Sequence, residues 1–403
     1  MPILRNIAQL ATCPSGNPQE DAGLVNNAAV VWTGDTIRWV GPAEDMPAEY
    51  SSEPVIDCER RLVIPGLIDC HTHLCFGGWR ADEFAQRIAG ASYQEIAATG
   101  GGISSTVTAT RAASLGELRR KASLTLDAML RLGVTTVECK SGYGLDTANE
   151  LKLLEAYRLL DQEHPIDLVP TFLGAHVVPA EHRNLRARYI DLLCDELIPA
   201  IAREGLAQFC DAFVENGAFT IAEARRILSR AAEHGLQIKI HADQLSDGGG
   251  ALLAAELRAV SAEHLEYISK EGIEALAGSG TVAVSLPLAS FYLGEPYLPA
   301  RELLSAGVPV AVATDFNPGS APSFHLPLAM TMACVNQHMT PQEVLNGATA
   351  VAARAVSASD RIGSLLPGYK ADLAVIDMPS LNQWLYHFVP NACIKVLKNG
   401  LWV

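Results

Sequence analysis

The sequence is poor in charged residues, and basic residues are the scarcer kind. Charged residues make up 19% of the 403 residues, whereas 49% are hydrophobic. That balance excludes an extended disordered chain, which combines high charge with little apolar surface. Only 30 lysines and arginines stand against 45 acidic residues, giving a formal net charge of −15. A nucleic-acid-binding protein needs a basic face, so we expect no nucleic-acid partner.

Paired cysteines and long apolar runs are missing as well. The nine cysteines are odd in number, spread from Cys13 to Cys393, and never form a Cys-x-x-Cys pair, unlike a disulfide framework or a zinc knuckle. The segment Met1–Arg5 lacks the basic-then-apolar order of a signal peptide. Apolar runs such as 281–288 are broken well short of the roughly 18–20 residues of a membrane span. We therefore expect a soluble, cytoplasmic protein with reduced thiols and no membrane contact.

What the sequence does contain is an alternation of short apolar runs with longer amphipathic ones. Eight runs are rich in Val, Ile, Leu and Ala without strict alternation, which is typical of parallel strands covered on both faces. Helical patterns such as 118–132 and 221–235 lie between them. Eight strands with helices between them predict an α/β fold, a closed (β/α)8 TIM barrel of about 250 residues. The eight runs lie at 62–69, 134–139, 168–173, 209–214, 237–241, 259–264, 282–286 and 308–314.

The two flanks of this region have a different pattern. Residues 1–61 carry short β-like pieces separated by Gly, Pro and Asp turns, and the same pattern returns from about residue 364. Neither flank has enough strands for a domain alone. We predict that residues 1–61 and 364–403 combine into one small β-sandwich domain, beside a barrel domain of residues 62–363.

Histidines gather at the ends of the predicted strands, where a TIM barrel carries its catalytic groups. His71 and His73 point the same way because side chains alternate along a strand, and His241 and Asp315 would meet them from across the barrel. Three imidazoles and one carboxylate suit Zn²⁺ or Fe. A His-x-His pair alone would equally fit two buried structural histidines, and Asp315 a helix cap. The joint placement favours a metal site. Residues at the strand ends include His71, His73, Lys140, Tyr143, His176, Glu215, His241, Gln244, His264, Asp315, Asn317, Gly319 and Ser320.

Three of these residues bear on the number of metal ions and on the reaction. In binuclear barrel hydrolases a carbamylated lysine closes the fourth strand, but here that strand ends at Glu215 and Lys140 closes the second. A single metal ion is favoured, with Lys140 as a supporting charge. Gln244 stands three residues after the fifth-strand histidine, where a deaminase of this architecture commonly has a proton-shuttling Glu. Because an amide cannot ionise, proton transfer would fall mainly to Asp315, which favours opening of a cyclic amide over deamination.

With these motifs assembled, the sequence resembles the amidohydrolase superfamily over nearly its whole length. The motif Pro65–His73 is typical of the whole superfamily, whereas the runs Lys140–Leu145 and Thr314–Ser320 are typical of far fewer of its members. They resemble members that open 4-imidazolone-5-propanoate to N-formimidoyl-L-glutamate in histidine degradation. Trp79 and Glu263 are slightly unusual for such a protein. The matching motifs are Pro65–His73, Phe76–Arg80, Gly90–Tyr93, Gly100–Ile103, Lys140–Leu145, Phe172–His176, His241–Gln244, Ser261–Leu265 and Thr314–Ser320.

The resemblance implies a role for each matching residue, and a homodimer. It implies one divalent or trivalent ion, Zn²⁺ or Fe, and a small-molecule substrate whose propanoate is held by Arg80. A planar guanidinium fork suits a carboxylate on physical grounds as well, although a surface salt bridge would also explain an arginine. The implied metal ligands are His71, His73, His241 and Asp315, and the implied substrate contacts are Arg80, Tyr143, His176, Gln244, Asn317, Gly319 and Ser320.

The mechanism we expect is hydrolytic. Asp315 takes a proton from a metal-activated water and returns it to the departing ring nitrogen, while His264 polarises the ring carbonyl. His241 is counted with the catalytic residues as a metal ligand. Two rival hypotheses stay open: another mononuclear amidohydrolase, either a deaminase or a different cyclic-amide hydrolase, and a non-catalytic metal-binding protein on the same barrel.

Overall fold

The computed structural model describes residues 1–90 and 101–403. Within them the chain forms two eight-stranded β-sheets, with helices packed around one of the two. Residues 91–93 and Gly100 of the motifs named above lie outside the described residues. Across the described part of the chain, no helix is both long and apolar enough to cross a membrane.

The first of the two sheets is a parallel barrel. Each strand pairs in parallel with the next in chain order. The last strand meets the first through Thr314, which donates to both carboxylate oxygens of Asp69 at 3.1 and 2.6 Å, and through a parallel bridge between Thr72 and Phe316. The sheet thereby closes, and the predicted (β/α)8 barrel is confirmed. Its strands are β6 Leu67–Asp69, β7 Val134–Lys140, β8 Asp167–Ala175, β9 Phe209–Val214, β10 Gln237–Ala242, β11 Ser261–His264, β12 Val282–Ser285 and β13 Val310–Val312.

Helices surround the barrel, and several of them begin at a side chain that caps them. Ser114 and Glu117, and likewise Thr220 and Glu223, form capping boxes in which each side chain bonds the other's backbone N–H. The apolar faces of the helices join the strands in one continuous buried core. The α-helices are Ala81–Ile88, Ile103–Ala112, Leu115–Arg131, Thr147–Glu163, Arg186–Leu192, Ile198–Glu204, Ile221–Glu233, Gly250–Glu256, Lys270–Ser279, Pro287–Leu293, Ala300–Ser305, Leu326–Gln337, Pro341–Gly347, Ala350–Ala355 and Leu381–Tyr386.

The second sheet is built from both flanks of the barrel, as the sequence predicts. Its strands follow the order β16-β15-β14-β5-β1-β2-β3, and β4 pairs with β1. Strands far apart in this order still touch: Trp32 Nε1 donates to the Gly400 carbonyl at 3.1 Å, and its ring centroid lies 6.2 Å from that of Trp402. The sheet therefore folds back around a core of its own. Its strands are β1 Ile3–Ala11, β2 Leu24–Thr33, β3 Thr36–Pro42, β4 Val55–Asp57, β5 Leu62–Pro65, β14 Leu373–Ile376, β15 Cys393–Lys398 and β16 Leu401–Trp402.

The single barrel strand predicted at 62–69 is wrong, because the chain forms two strands there. Strand β5 pairs with β1 and β14 of the small sheet, and only β6 enters the barrel. Gly66 marks the change, since a Cβ at that position would lie 2.3 Å from Thr135 Oγ1. Both strands are fully buried, so the apolar run continues across the junction. The small sheet thus extends past residue 61, and the domain limits themselves stay a prediction.

Candidate metal centre and active site

Four of the predicted residues meet at the carboxyl end of the barrel. His71 and His73 follow β6, His241 lies in β10, and Asp315 follows β13. Asp315 Oδ1 lies 3.3 Å from His71 Nε2 and 3.4 Å from His73 Nε2. The ring centroid of His241 lies 4.6 Å from that of His71 and 5.5 Å from that of His73. The structure thus brings the four predicted ligands into one buried cluster.

The donor atoms of this cluster fit a metal ion. The Nε2 atoms of His71 and His241 are buried and make no hydrogen bond with any described residue, a costly state for a polar atom. Possible ligand atoms of His71, His73 and Asp315 lie within 4.8 Å of one another, and so do those of His71, His241 and His264. An ion among these nitrogens and the carboxylate would satisfy the unpaired imidazoles, and such a donor set suits zinc or iron.

The electrostatics of the cluster give His71, His241 and Asp315 the protonation states that ligands need. Burial lowers the pKa of His71 well below its usual value and that of His241 to about 4. Burial alone would raise the pKa of Asp315, but the imidazoles of His71 and His73 outweigh it and lower this pKa. Neutral imidazoles and an ionised carboxylate are the forms that bind metal.

His264 lies beside the same cluster. Its ring centroid is 5.8 Å from that of His71 and 5.4 Å from that of His241, and its Nδ1 lies 3.4 Å from Glu266 Oε1. Burial disfavours a charged His264, but the carboxylates of Glu266 and Asp315 outweigh burial and raise its pKa. His264 and Asp315 have φ angles of +76° and +56°. Such left-handed backbone is strained for these residues and concentrates at functional sites.

Arg80 is held with one edge of its guanidinium facing the Asn317–Ser320 loop. Its Nε donates to Glu83 Oε2 at 2.9 Å, and Ser105 Oγ donates to the other oxygen of Glu83 at 2.9 Å. On the opposite side a Cβ at Gly319 would lie 2.3 Å from Arg80 Nη1, so glycine allows this approach. Glu83 was not predicted from the sequence. Among the described residues, the ion pair of Arg80 uses its Nε, and no described carboxylate pairs with its Nη edge.

Two aromatic rings link His73 to the loop after β7. The centroids of Tyr143 and His176 lie 5.7 and 5.4 Å from that of His73 and 5.4 Å from each other. Burial raises the pKa of Tyr143 and lowers that of His176 to about 3, so both rings are neutral. Glu150, which sequence reasoning missed, accepts the backbone N–H of Gly144 at 2.8 Å and thereby fixes the loop.

The loop after Asp315 is held by its own side chains. Asn317 Oδ1 accepts the N–H groups of Gly319 and Ser320 at 2.7 and 2.8 Å, and Asn317 Nδ2 donates to the Asp315 carbonyl at 2.6 Å. Ser320 Oγ donates to Asp315 Oδ2 at 3.3 Å. The three predicted pocket residues therefore lie next to the predicted metal ligand Asp315, and the hydrogen bonds of the Asn317 amide hold the loop in shape.

Gln244 is not drawn into the ring cluster by any described contact. Its side chain is half-buried in the loop after β10, and it forms no hydrogen bond within the part of the chain that the structure describes. Glu215 supports this loop from the end of β9, because its Oε2 accepts the Leu245 N–H at 2.9 Å. The predicted contact of Gln244 with a ring stays a prediction.

Behind the histidines lie charged residues that sequence reasoning did not assign to the site, although it named Lys140 as a supporting charge and Glu263 as unusual. Glu138, Asp211 and Glu263 are fully buried and surround Lys140. Asp211 Oδ2 lies 2.9 Å from His241 Nδ1. These carboxylates lie within strands, not after them. Their only signal in the sequence is a charged residue inside an otherwise apolar run.

Comparison with known proteins agrees with this architecture. The sequence model of the amidohydrolase family matches residues 62–403. Imidazolonepropionase of Symbiobacterium thermophilum is 48% identical over 96% of this chain and 92% of its own, and that of Alkaliphilus metalliredigens is 44% identical over 99% and 96%. In structure the chain is similar to 5-methylcytosine deaminase of Klebsiella pneumoniae liganded with phosphonocytosine (TM-score 0.75, 18% identity, coverage 100% and 97%) and to a zinc-bound adenosine deaminase of Xanthomonas campestris (0.72, 17%, 100% and 92%).

The chain therefore belongs to the amidohydrolase family. The structural neighbours, at under 20% identity, show the fold alone. The more similar sequences go further, since they cover nearly the whole chain. Within the family the chain is a hydrolase acting on carbon–nitrogen bonds, and its near relatives are the imidazolonepropionases.

Proposed function

We propose that this chain is an imidazolonepropionase, which opens the ring of 4-imidazolone-5-propanoate with water to give N-formimidoyl-L-glutamate. The observation that carries the proposal is the approach of Arg80 to Gly319, four residues past Asp315. This approach supports the proposal, because a guanidinium, which suits a carboxylate, lies against the loop that follows Asp315. Relatives of that name, similar over nearly the whole chain, support the same activity.

We assign one metal ion, zinc or iron, to His71, His73, His241 and Asp315. Its chemistry when bound is to lower the pKa of a water molecule from 15.7 to about 7. Glu215 supports the single ion, because its carboxylate is taken up by the loop after β10, where it accepts the Leu245 N–H.

Asp315 moves the proton in this reaction. Its Oδ1 faces the histidines, and its Oδ2 accepts from Ser320. The carboxylate takes a proton from the attacking water, and oxygen adds to the ring carbonyl. His264 donates a hydrogen bond to the carbonyl oxygen as negative charge develops there. Asp315 then gives the proton to the ring nitrogen, and the carbon–nitrogen bond breaks.

The remaining predicted residues bind the substrate. The Nη edge of Arg80 holds the propanoate in a two-pronged contact. Tyr143 and His176, both neutral, lie against the ring and its side chain. In this assignment the side-chain amide of Gln244 hydrogen-bonds the substrate ring. The other assigned contacts are Asn317, Gly319 and Ser320.

A direct assay tests the proposal. Purified protein with its metal content measured should remove the ultraviolet absorbance of 4-imidazolone-5-propanoate and release no ammonia. Ammonia in step with turnover would favour the deaminase alternative. Metal binding with no loss of any cyclic-amide substrate would favour a non-catalytic protein.

We also propose that the enzyme is a cytoplasmic homodimer. Free thiols support the reducing compartment: seven of the nine cysteines are buried and all are unpaired. A second subunit is supported by three exposed apolar side chains, Val335 at 66%, Tyr386 at 84% and Phe388 at 65% exposure. Light scattering should give twice the mass of the chain, and a polar substitution at Phe388 should lower it.

A further inference from the structure

A buried lysine lies behind the metal ligands, surrounded by carboxylates from three strands. Lys140 Nζ is 2.8 Å from Glu138 Oε1, 2.9 Å from Asp211 Oδ2 and 3.9 Å from Glu263 Oε2, and all four side chains have 0% exposure. We call these four residues the Lys140 cluster. The proposed reaction uses none of them, although burying so many charges is costly unless each is compensated.

The Lys140 cluster lies close to the Nδ1 atoms of two predicted ligands, His71 and His241. Asp211 Oδ2 lies 2.9 Å from His241 Nδ1, and Asp211 Oδ1 accepts the His241 backbone N–H at 3.2 Å. One carboxylate thus accepts the backbone N–H of His241 and also lies at ion-pair distance from its ring, although the ring contact is not aligned as a hydrogen bond. Glu263 Oε2 lies 3.8 Å from His241 Nδ1 and 3.9 Å from His71 Nδ1. With their Nδ1 atoms facing the cluster, both imidazoles present Nε2 to the opposite side.

Asp211 in turn depends on Lys140 for its place. Asp211 and Glu263 are both buried carboxylates near the same imidazole nitrogen, so they repel each other. The Lys140 ammonium contacts both and offsets that repulsion. The second lysine of the region, Lys239, contacts Glu263 at 3.3 Å and donates to Ser261 at 2.8 Å. Lys239 is the neighbour of Asp211 in the strand register, but no described ion pair joins their side chains.

We propose that Lys140 is a positioning residue for the metal centre: its ammonium holds the Asp211 carboxylate against His241, and Asp211 fixes His241 with Nε2 toward the metal ion. The inference rests on the proposed metal-dependent function. It means that retention of the ion depends on a side chain that is not a ligand. Carboxylates behind metal-bound histidines commonly change metal affinity about 10–100-fold when they are mutated.

The experiment compares Lys140→Met with Lys140→Arg and with Lys239→Met. Lys239 is the matched control, because it is equally buried and forms its described ion pair with Glu263 and not with Asp211. Each zinc-loaded variant is mixed with a chelator, and the rate of zinc release and the unfolding temperature of the metal-free protein are measured. We expect zinc release to be about 10–100-fold faster in Lys140→Met, partly restored in Lys140→Arg, and close to wild type in Lys239→Met.

A second variant keeps the test decisive if Lys140→Met does not fold. Asp211→Asn preserves shape and removes the charge that holds His241, so we expect the same faster release of zinc. With cobalt in place of zinc, the visible spectrum of either variant should differ from that of the wild type, because the position of His241 changes.

Wild-type zinc release and an unchanged cobalt spectrum, alongside a lower unfolding temperature, would overturn the proposal. So would a Lys140→Met protein that takes up a second ion but keeps the first as tightly as the wild type. These measurements use no substrate, so failure to open the imidazolone ring would refute the proposed reaction alone. Failure of the wild type to hold any ion would refute the metal site, and this inference with it.

Discussion

Two sets of polar side chains at opposite ends of the barrel differ in how they are paired. At the amino end, Gln19 inserts its amide beside β13: Nε2 donates to the carbonyls of Val310 and Glu343 at 2.7 and 3.0 Å, and Oε1 accepts the Val310 N–H at 2.9 Å. At the carboxyl end, the Nε2 atoms of His71 and His241 are buried without a hydrogen-bond partner among the described residues. The backbone is also strained there, at His264 and Asp315.

This difference separates stability from function within one fold. The half-buried amide of Gln19, which makes three hydrogen bonds, stabilises the folded state, and its loss exposes that contribution. Unpaired nitrogens at His71 and His241, and strained backbone at His264 and Asp315, cost stability and are retained where a ligand or a reaction needs them. We therefore expect substitutions at the carboxyl end to change catalysis more than folding, and substitutions at the amino end to do the reverse.

The largest expected effect comes from Asp315→Asn. The amide keeps the size of the side chain but cannot accept and return a proton, so turnover should fall about 10²–10⁴-fold, the usual contribution of a general acid–base. The rate is measured per bound metal ion, which separates proton transfer from metal loss. Full turnover with metal bound would remove Asp315 from its assigned role and erase the contrast between the two ends.

A smaller loss is expected for Arg80→Met. Hydrogen bonds to charged groups contribute about 1.5–3 kcal/mol, so KM should rise about 10–100-fold while kcat changes less. Arg158→Met is the control, since Arg158 pairs with Glu155 and its side chain is 47% exposed. An equal fall in kcat with unchanged KM would contradict the assignment of Arg80 to the substrate carboxylate.

At the amino end, Gln19→Ala should lower the free energy of unfolding by about 1–3 kcal/mol, because it leaves the buried Val310 N–H without a partner. The kinetic constants should stay at their wild-type values. Gln162→Ala, on an exposed helix position, is the control for loss of an amide alone. A Gln19→Ala protein that is as stable as the wild type but slower as an enzyme would contradict the contrast between the two ends of the barrel.

The smallest effect is expected for the ion pair between Arg186 and Glu223, near the carboxyl end of the barrel. Arg186 Nη2 donates to Glu223 Oε2 at 2.7 Å, and this guanidinium lowers the pKa of Glu223 from 4.5 to about 2. Because the folded-state pKa is the lower one, the stabilisation is complete above pH 4.5 and is lost as the pH falls toward about 2. Glu223→Gln should flatten the acid limb of a plot of unfolding temperature against pH. An unchanged acid limb would show that the pair contributes nothing.

The sequence predicts the barrel and the metal ligands for one physical reason. In a parallel barrel all the strands end at the same rim, so locating strand ends also locates His71, His73, His241 and Asp315 with respect to one another. No distance is needed for that inference. The same logic brings Tyr143 and Gly319 to the same rim.

Contacts between strands are the part that the sequence does not reveal. Asp211, Glu263 and Glu138 lie inside apolar runs, and their partner Lys140 lies on another strand or two residues away. Which of their side chains face each other depends on strand register. Glu83 escapes notice for a different reason: three residues after Arg80, it has the spacing of an ordinary helical ion pair. The split at Gly66 is hidden because buried strands of both sheets share one composition.

The small sheet has a consequence for the order in which the protein is made. Strand β5 pairs with β14, more than 300 positions further along the chain, and Trp32 contacts Gly400 and Trp402, which are also more than 300 positions away. Contacts of such long range form late and slowly. During synthesis β1 to β5 can pair with one another, but β14 to β16, which complete the sheet and its core, are translated only after the barrel. The nascent chain therefore carries an incomplete sheet while the barrel is made, and in this interval it is most exposed to aggregation and most in need of a chaperone.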